Sequence, residues 1–395
     1  MHRFSLKKVL PMSFGTPPTR SVVLAVMVVS IWAPAMAVEI DWTRARSLTH
    51  GGAYVDLGYL LSSNQPGNHT WRSKGTTTVL DRMRLNNTAI AIQKLSADDA
   101  PWGFAVGLQA GKDVDNQVTS NAISSAETLK HLYYTYLSYL FDVGDGLVIG
   151  SGLIPGHIGY ESFHALDNPT YTRVYGVDNV PYFNWGVGAV YAPDKPLSGG
   201  LLLLNGWNYL ERPNDAPSYG LQLKWQAAED GHFTQNFYYG PDQTDTASEF
   251  WRFVTNTIVE WQVEDFLLAG SFGYGTEKQA DIIDNPRYDW LWAAVWVKWT
   301  FQEGWHLTLR PEVFNDEDGL MSGFAQTIRA VTMGLEYRLA PDERNELSFR
   351  MEYRFDRSTG RDGGFFEGDA NVLVPEQHLF IGALIWQFDS GVRGL

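Results

Sequence analysis

An alternation of period two, apolar residues against polar or small ones, runs along nearly the whole chain. It is clearest toward the C-terminus, where Leu347, Phe349, Met351, Tyr353 and Phe355 alternate with Ser348, Arg350, Glu352, Arg354 and Asp356. Successive side chains of a β-strand point to opposite faces, so each such segment has one apolar face and one polar face. The pattern predicts an all-β fold.

The spacing of these segments restricts the architecture further. Each predicted strand runs for about nine to eleven residues, the length that a tilted strand needs to cross a bilayer. Tight turns such as 228–231 and 302–304 follow every second strand, and longer polar loops such as 155–183 and 357–376 lie between them. The sixteen predicted strands are centred near Val55, Thr88, Val106, Tyr134, Ile149, Val187, Leu202, Leu223, Phe237, Thr257, Gly270, Ala294, Leu309, Met333, Met351 and Leu384.

An even number of strands with alternating short and long connections is typical of bacterial outer-membrane barrels. The chain has 15 Trp, 19 Tyr and 21 Phe, which a barrel places on its lipid-facing wall and at the membrane interfaces. We therefore predict a transmembrane antiparallel up-and-down β-barrel of about 16 strands over residues 52–388. The alternative is a soluble β-sandwich, which alternates in the same way but turns its apolar face inward.

The N-terminal segment has the features of a cleaved signal peptide. Basic residues without any acid precede an apolar run from Val22 to Ala33, and Ala35-Met36-Ala37 has the small-x-small form of a cleavage site. We expect residues 1–37 to be removed on export to the outer membrane of a Gram-negative bacterium. Residues 38–51 would then be a periplasmic lead and residues 389–395 a C-terminal extension. An uncleaved membrane anchor is the alternative.

Charge and cysteine content exclude several function classes. Removal of the four basic residues of the signal peptide takes the net charge from −15 to −19, which argues against nucleic-acid binding. The chain has no cysteine, so neither disulfides nor thiolate metal sites are expected. Gly150-Ser151-Gly152 lacks the form of a nucleophile elbow. We expect no catalytic residues, no cofactor and no metal.

Three neighbouring strands place charges of both signs on the face that should line the lumen. A barrel of 16–18 strands encloses an aqueous channel unless a loop or domain fills it, and inward-facing charges tune what passes. The charges could set the selectivity of the channel, or they could be structural ion pairs that brace its wall. The predicted channel-lining residues are Arg310, Glu312, Glu336, Arg338, Arg350, Glu352, Arg354 and Asp356.

The third long loop, residues 155–183, is the longest. In general porins the corresponding loop folds inward and narrows the channel, and position and length suggest the same here by analogy. The alternative is an exposed outer loop. Spacing among its histidines and acids matches no zinc pattern. The candidate constriction residues are His157, Glu161, His164, Asp167 and Arg173.

Several short motifs resemble the OmpL-like β-barrel porin family. They are Asn168–Arg173 (NPTYTR), Asn179–Gly188 (NVPYFNWGVG), Leu204–Trp207 (LNGW), Arg310–Gly319 (RPEVFNDEDG) and Met351–Ser358 (MEYRFDRS). The resemblance covers most of the chain, from Gly52 to Phe388. It implies an outer-membrane porin, and it brings no substrate and no catalytic residues.

The sequence therefore predicts a water-filled diffusion channel for small hydrophilic solutes or ions, in contact with outer-membrane lipid. Two other functions stay open: a structural or adhesive barrel that acts through its surface loops, and an outer-membrane lipid hydrolase. Ion preference is also open, because the acidic chain attracts cations while the lumen arginines favour anions. The sequence does not establish a homo-oligomer, although trimers are common among general porins.

Overall fold

Sixteen antiparallel strands close into one barrel in the computed structural model, which describes residues 49–116, 129–192, 196–342 and 344–390. The last strand pairs with the first, from Gly52 opposite Asp389 to Ser62 opposite Leu379. The barrel strands are β1 Thr49–Ser62, β2 Met83–Lys94, β3 Trp102–Ala110, β4 Leu132–Phe141, β5 Leu147–Pro155, β6 Phe183–Tyr191, β7 Leu197–Leu204, β8 Ser218–Ala228, β9 Gly231–Pro241, β10 Trp251–Val263, β11 Phe266–Lys278, β12 Arg287–Gln302, β13 Trp305–Asp316, β14 Gln326–Leu339, β15 Asn345–Thr359 and β18 Glu376–Asp389.

The predicted fold class is confirmed, because all sixteen predicted strand centres fall inside barrel strands. The connections alternate as expected, and the turns at 229–230, 264–265 and 303–304 have two residues each. Gly304 has a φ of 73°, a conformation that glycine adopts without steric cost.

The long loops contain short elements that the alternation did not predict. These are α1 (Lys112–Asn116), a 3₁₀ turn (Ala165–Asp167), α2 (Tyr175–Asp178), and a hairpin of β16 (Phe365–Glu367) and β17 (Val372–Val374). None is longer than five residues, which is too short for a periodic pattern to show. Among the described residues, no helix is long and apolar enough to cross a membrane.

The apolar face of the sheet is on the outside of the barrel. Leu309, Met333 and Met351 on neighbouring strands are 47%, 51% and 61% exposed, whereas Arg310 and Arg354 in the opposite register are fully buried. This is the reverse of a soluble sandwich, and it suits a wall in contact with lipid.

Aromatic rings form a row around the end of the barrel that carries the two-residue turns. Phe266 stacks on Trp299 with ring centroids 5.9 Å apart, and Trp305 lies 4.7 Å from Tyr337. Tyr337 lies in turn 6.5 Å from Phe349 on the next strand. Aromatic belts of this kind mark the membrane interface of outer-membrane barrels.

Some predicted segments lie outside the described residues. They are the signal peptide (1–37), residues 38–48 of the periplasmic lead, and residues 391–395 of the C-terminal extension. Those assignments stay predictions.

The lipid-facing wall leads to a test that depends on depth. Met333→Arg, in the middle of β14, should lower the free energy of unfolding in lipid vesicles by about 2–4 kcal/mol, because it places a cation at the bilayer midplane. Met83→Arg, at the outer end of β2, should cost about 0–1 kcal/mol. Urea titration followed by tryptophan fluorescence measures both, and equal costs would contradict this orientation of the wall.

Candidate functional site

Loop 3, defined here as residues 156–182, lies inside the barrel. The amide of Ala165 donates to the hydroxyl of Tyr54 on β1 (2.9 Å), and the amide of Gly159 donates to Oδ1 of Asn256 on β10 (3.0 Å). Thr308 on β13 donates to the carbonyl of Pro169 (3.0 Å). Because these strands lie on different sides of a closed sheet, the loop crosses the lumen.

The predicted channel-lining charges form two clusters, and the first is centred on Glu336 of β14. Its Oε1 accepts from Nη2 of Arg350 (2.7 Å) and Nη2 of Arg338 (2.9 Å). Its Oε2 accepts from Nζ of Lys298 on β12 (3.0 Å). Three cations thus surround one carboxylate, and Arg338 makes a second ion pair with Glu346 (2.9 Å).

The second cluster lies on the same wall. Glu312 pairs with Nη2 of Arg354 (2.6 Å) and with Nε of Arg310 (3.3 Å). Arg354 also pairs with Asp356 (2.7 Å). All four side chains are at least nine-tenths buried, so desolvation makes each charge costly unless a partner compensates it.

Both clusters and Glu352 bind the backbone of loop 3, and in the second cluster Arg354 donates to the carbonyl of Arg173 (3.3 Å). Arg350 donates to the carbonyls of Ala165 (2.7 Å) and Leu166 (3.2 Å). Glu352, the remaining predicted lining residue, accepts from the amides of Tyr171 and Thr172 and from the Thr172 hydroxyl (2.9 Å). The wall therefore holds the loop with cations at one segment and a carboxylate at another.

Glu161 is a loop 3 side chain that pairs with a charge on the barrel wall. It forms a fully buried ion pair with Arg310 (2.9 Å) and accepts from the amide of Val174 (2.7 Å) and from Nε1 of Trp296 (3.2 Å). Burial raises the pKa of Glu161, and the Arg310 guanidinium opposes that shift. Loop and wall are thus joined by a salt bridge shielded from water.

The two histidines of loop 3 are buried as neutral side chains. Nε2 of His157 donates to the carbonyl of Phe237 (2.9 Å), and burial lowers the pKa of His157 to about 4. The ring of His164 stacks between Tyr54 (4.0 Å) and Tyr133 (4.8 Å). Burial, and then the charge of Arg173, lowers the pKa of His164 to about 3.

The other two constriction candidates differ from each other. Arg173 is fully buried, and its guanidinium donates to the carbonyls of Ser162, Phe163 and Tyr171, so it organises the loop itself. Asp167 is exposed and accepts from the Ser162 hydroxyl (3.2 Å). In the described part of the chain, no group of three or more His, Asp or Glu side chains is placed to hold a metal ion.

Sequence reasoning missed several residues that seat the loop. Asp56 on β1 accepts from the Tyr171 hydroxyl (2.7 Å), and Glu260 on β10 accepts from the Tyr160 hydroxyl (2.6 Å). Each is the only acid of its strand and has an inward position, which is the signal that could have indicated them.

Trp292 on β12 fills the space between the loop and the wall. A Cβ on Gly176 of α2 would come within 2.2 Å of the Trp292 side chain, and a Cβ on Gly273 of β11 within 2.0 Å. Both positions therefore require glycine for the indole to fit between them.

Loop 3 separates two cavities. The outer one has a volume of about 470 Å³ and includes Asp178 and Asn179 of loop 3 in its lining. The other, of about 240 Å³, is lined by Tyr54, Tyr133 and His164 toward the end with the short turns. Seven of the eight predicted channel-lining side chains are buried, and Arg338 is partly exposed.

The neutral state of His157 leads to a pH test. The pKa of His157 is about 4 in the folded protein and about 6.5 in an unfolded chain. Neutral His157 therefore contributes fully to the stability of the folded protein above pH 6.5, and this contribution is lost as the pH falls toward 4. Between pH 7 and pH 4 the free energy of unfolding should fall less for His157→Gln than for wild type. The difference should be up to about 1.4 kcal/mol per pH unit. Urea titrations at each pH measure this difference, and parallel profiles would show that the histidine is not buried as described.

Solved structures of outer-membrane proteins share this architecture at low sequence identity. The outer membrane channel DcaP of Acinetobacter baumannii is 10% identical, with 88% of this chain and 99% of that chain covered and a TM-score of 0.52. The trimer form of OmpT from Vibrio cholerae is 11% identical, with 88% and 100% covered and a TM-score of 0.51. An anion-selective porin from Comamonas acidovorans is 8% identical, with 87% and 98% covered and a TM-score of 0.51.

At these identities the likeness shows the fold alone. No curated protein matches the sequence. A family model matches residues 49–388, which is the whole barrel except the last residue of β18. The chain belongs to the family described as "Putative beta-barrel porin-2, OmpL-like".

Proposed function

We propose that this protein is an outer-membrane porin through which small hydrophilic solutes or ions diffuse passively. The observation that carries the proposal is the wide barrel with a polar, charged inner wall and an inward-folded loop that leaves a cavity on each side. A barrel of 16 strands is too wide for its own wall side chains to fill. Family membership and the fold support the same function.

Loop 3 would make this a narrow channel. Polar and charged ties such as Arg310 to Glu161 hold the loop across the lumen, so we expect a conductance well below that of an open barrel of the same strand number. Solutes would enter from the outer cavity and pass beside the loop. The charged wall then has two roles, since it braces the loop and also provides the local field along the route.

The protein would be exported with cleavage of residues 1–37 and would act in the outer membrane without a cofactor or an enzymatic step. The trimer form of OmpT supports a homotrimer here as well. Cross-linking of the protein in native membranes tests that assembly.

Planar bilayer recording tests the channel directly. Purified, folded protein should produce discrete conductance steps with a linear current–voltage relation, because a passive pore has no coupled energy source. Folded protein that inserts into lipid vesicles but stays silent in the bilayer would contradict the proposed function.

Removal of the Arg310–Glu161 ion pair should change that conductance. Glu161→Gln keeps the shape of the side chain but removes its charge, and leaves Arg310 with a weaker partner on the loop. We expect larger and noisier conductance steps because loop 3 is held less firmly. Asp284→Asn, which removes a charge from the exposed sixth loop, is the matched control and should conduct like wild type. Identical recordings from both variants would show that the Arg310–Glu161 ion pair does not limit the passage of ions.

A further inference from the structure

The outer cavity has the size and position of a solute-binding site. Its volume of about 470 Å³ lies within the range of small-molecule pockets. Its lining comes from loop 3, α1, the start of β10, and the loops that join β1 to β2, β7 to β8 and β13 to β14. A solute approaching loop 3 from outside therefore enters this space. The lining includes Lys74, Asn116, Asn179, Asn208 and Arg252.

Arg252 is held rigidly in the lining. Its Nε donates to Glu277 and lies 3.5 Å from Asp242. The guanidinium carbon lies 5.0 Å from the ring centroid of Trp207 and 5.7 Å from that of Trp290. The aromatic contacts and the ion pair orient the guanidinium before any ligand arrives, which reduces the entropy lost on binding.

The Nη groups of Arg252 remain available to a ligand in the cavity. Both ion pairs are made through Nε, and the two Nη groups have no hydrogen bond to any described residue. Glu277 and Asp242 are buried and do not contribute to the cavity lining. A ligand in the cavity therefore has access to the guanidinium without contact with either acid.

Lys74, the other cation in the described lining, is not open in this way. Its Nζ has no exposure, pairs with Asp178 and donates to the carbonyl of Arg173 (2.6 Å). The charge of Lys74 is thus neutralised within the protein. Among the described lining residues, Arg252 is the cation with donors left for a solute.

The rest of the lining offers amide groups. Nδ2 of Asn116 donates to the Thr78 hydroxyl (2.7 Å), and Nδ2 of Asn179 donates to the carbonyl of Tyr175 (2.7 Å). Each of these side chains keeps its Oδ1 as an acceptor, and Asn208 adds a third amide. Amide oxygens of this kind accept hydrogen bonds from the hydroxyl groups of a solute.

We propose that the outer cavity binds small hydroxylated carboxylates such as sugar acids. The carboxylate would pair with the Nη groups of Arg252, because a guanidinium matches a carboxylate with two parallel hydrogen bonds. The hydroxyls would donate to Asn116 and Asn179. This inference rests on the proposed function and adds a solute class to it. An acidic protein repels anions, so such a solute needs a local cation to be concentrated at the entrance.

Calorimetry on folded protein in detergent micelles tests the site without requiring conduction. Gluconate is the probe, and sorbitol is its neutral counterpart with the same carbon skeleton. We expect gluconate to bind with a Kd on the order of 1 mM and sorbitol to give no binding heat. Equal binding of the two, or no binding of gluconate, would overturn the proposal.

Three variants locate the binding. Arg252→Gln should weaken gluconate binding at least about tenfold, since it removes the carboxylate partner. Asn208→Asp introduces a negative charge with almost no change of shape, so it should weaken binding comparably while leaving Arg252 and its supports intact. Arg287→Gln is the control, because Arg287 is exposed, stacks on Trp251 (3.7 Å) and is not in the cavity lining.

Heat-modifiable migration on gels confirms folding of each variant, and Asn208→Asp still tests the site if Arg252→Gln does not fold. Gluconate binding that survives Asn208→Asp unchanged would overturn the proposal. Binding that follows this pattern in a protein with no conductance would support the site and contradict the channel. Conductance without any preference for gluconate over sorbitol would do the reverse.

Discussion

Every backbone amide and carbonyl at bilayer depth must find its partner within the protein, because lipid offers none. This chain meets that requirement by pairing β18 with β1, so that the sheet has no free edge. Closure also determines where side chains go: one face of every strand meets lipid and the other meets the lumen. The exposed leucines and methionines and the buried arginines of β13–β15 both follow from it.

Closure at sixteen strands creates a second problem, which is an interior too wide for wall side chains to fill. Loop 3 crosses the lumen and fills part of it. Charged side chains of the wall are then buried against the loop and are not exposed to water. A buried charge is tolerated only when paired, and Glu336, Glu312 and Glu161 each have at least one cationic partner. The pairing makes loop 3 an integral part of the folded barrel.

Three of the five motifs that resemble the porin family meet at this contact. Within Asn168–Arg173, Thr170 accepts a hydrogen bond from Arg310, and the Thr172 hydroxyl donates one to Glu352. Arg310 and Glu352 belong to the motifs Arg310–Gly319 and Met351–Ser358. Segments separated by about 140 to 180 positions thus form one interface.

The eight predicted wall charges were identified from alternation alone, because an inward register can be read from a strand of known period. The role of the wall could not be read in the same way. Whether Glu352 faces water or the amides of Tyr171 and Thr172 depends on where loop 3 runs, and an irregular loop has no period that shows its path. For the same reason Asp56, Glu260 and Trp292 were not identified as partners of the loop.

By itself the sequence determined the strand number, the inside and outside of each strand, and the alternation of turns and loops. These features are local, since the direction of a side chain depends on its neighbours along the strand. Only the tertiary structure decided that loop 3 lies in the lumen, that the wall charges pair with it, and that Arg252 lines an outer cavity. Those contacts join residues far apart in the chain, and the free energy of burying charge with its partner selects them.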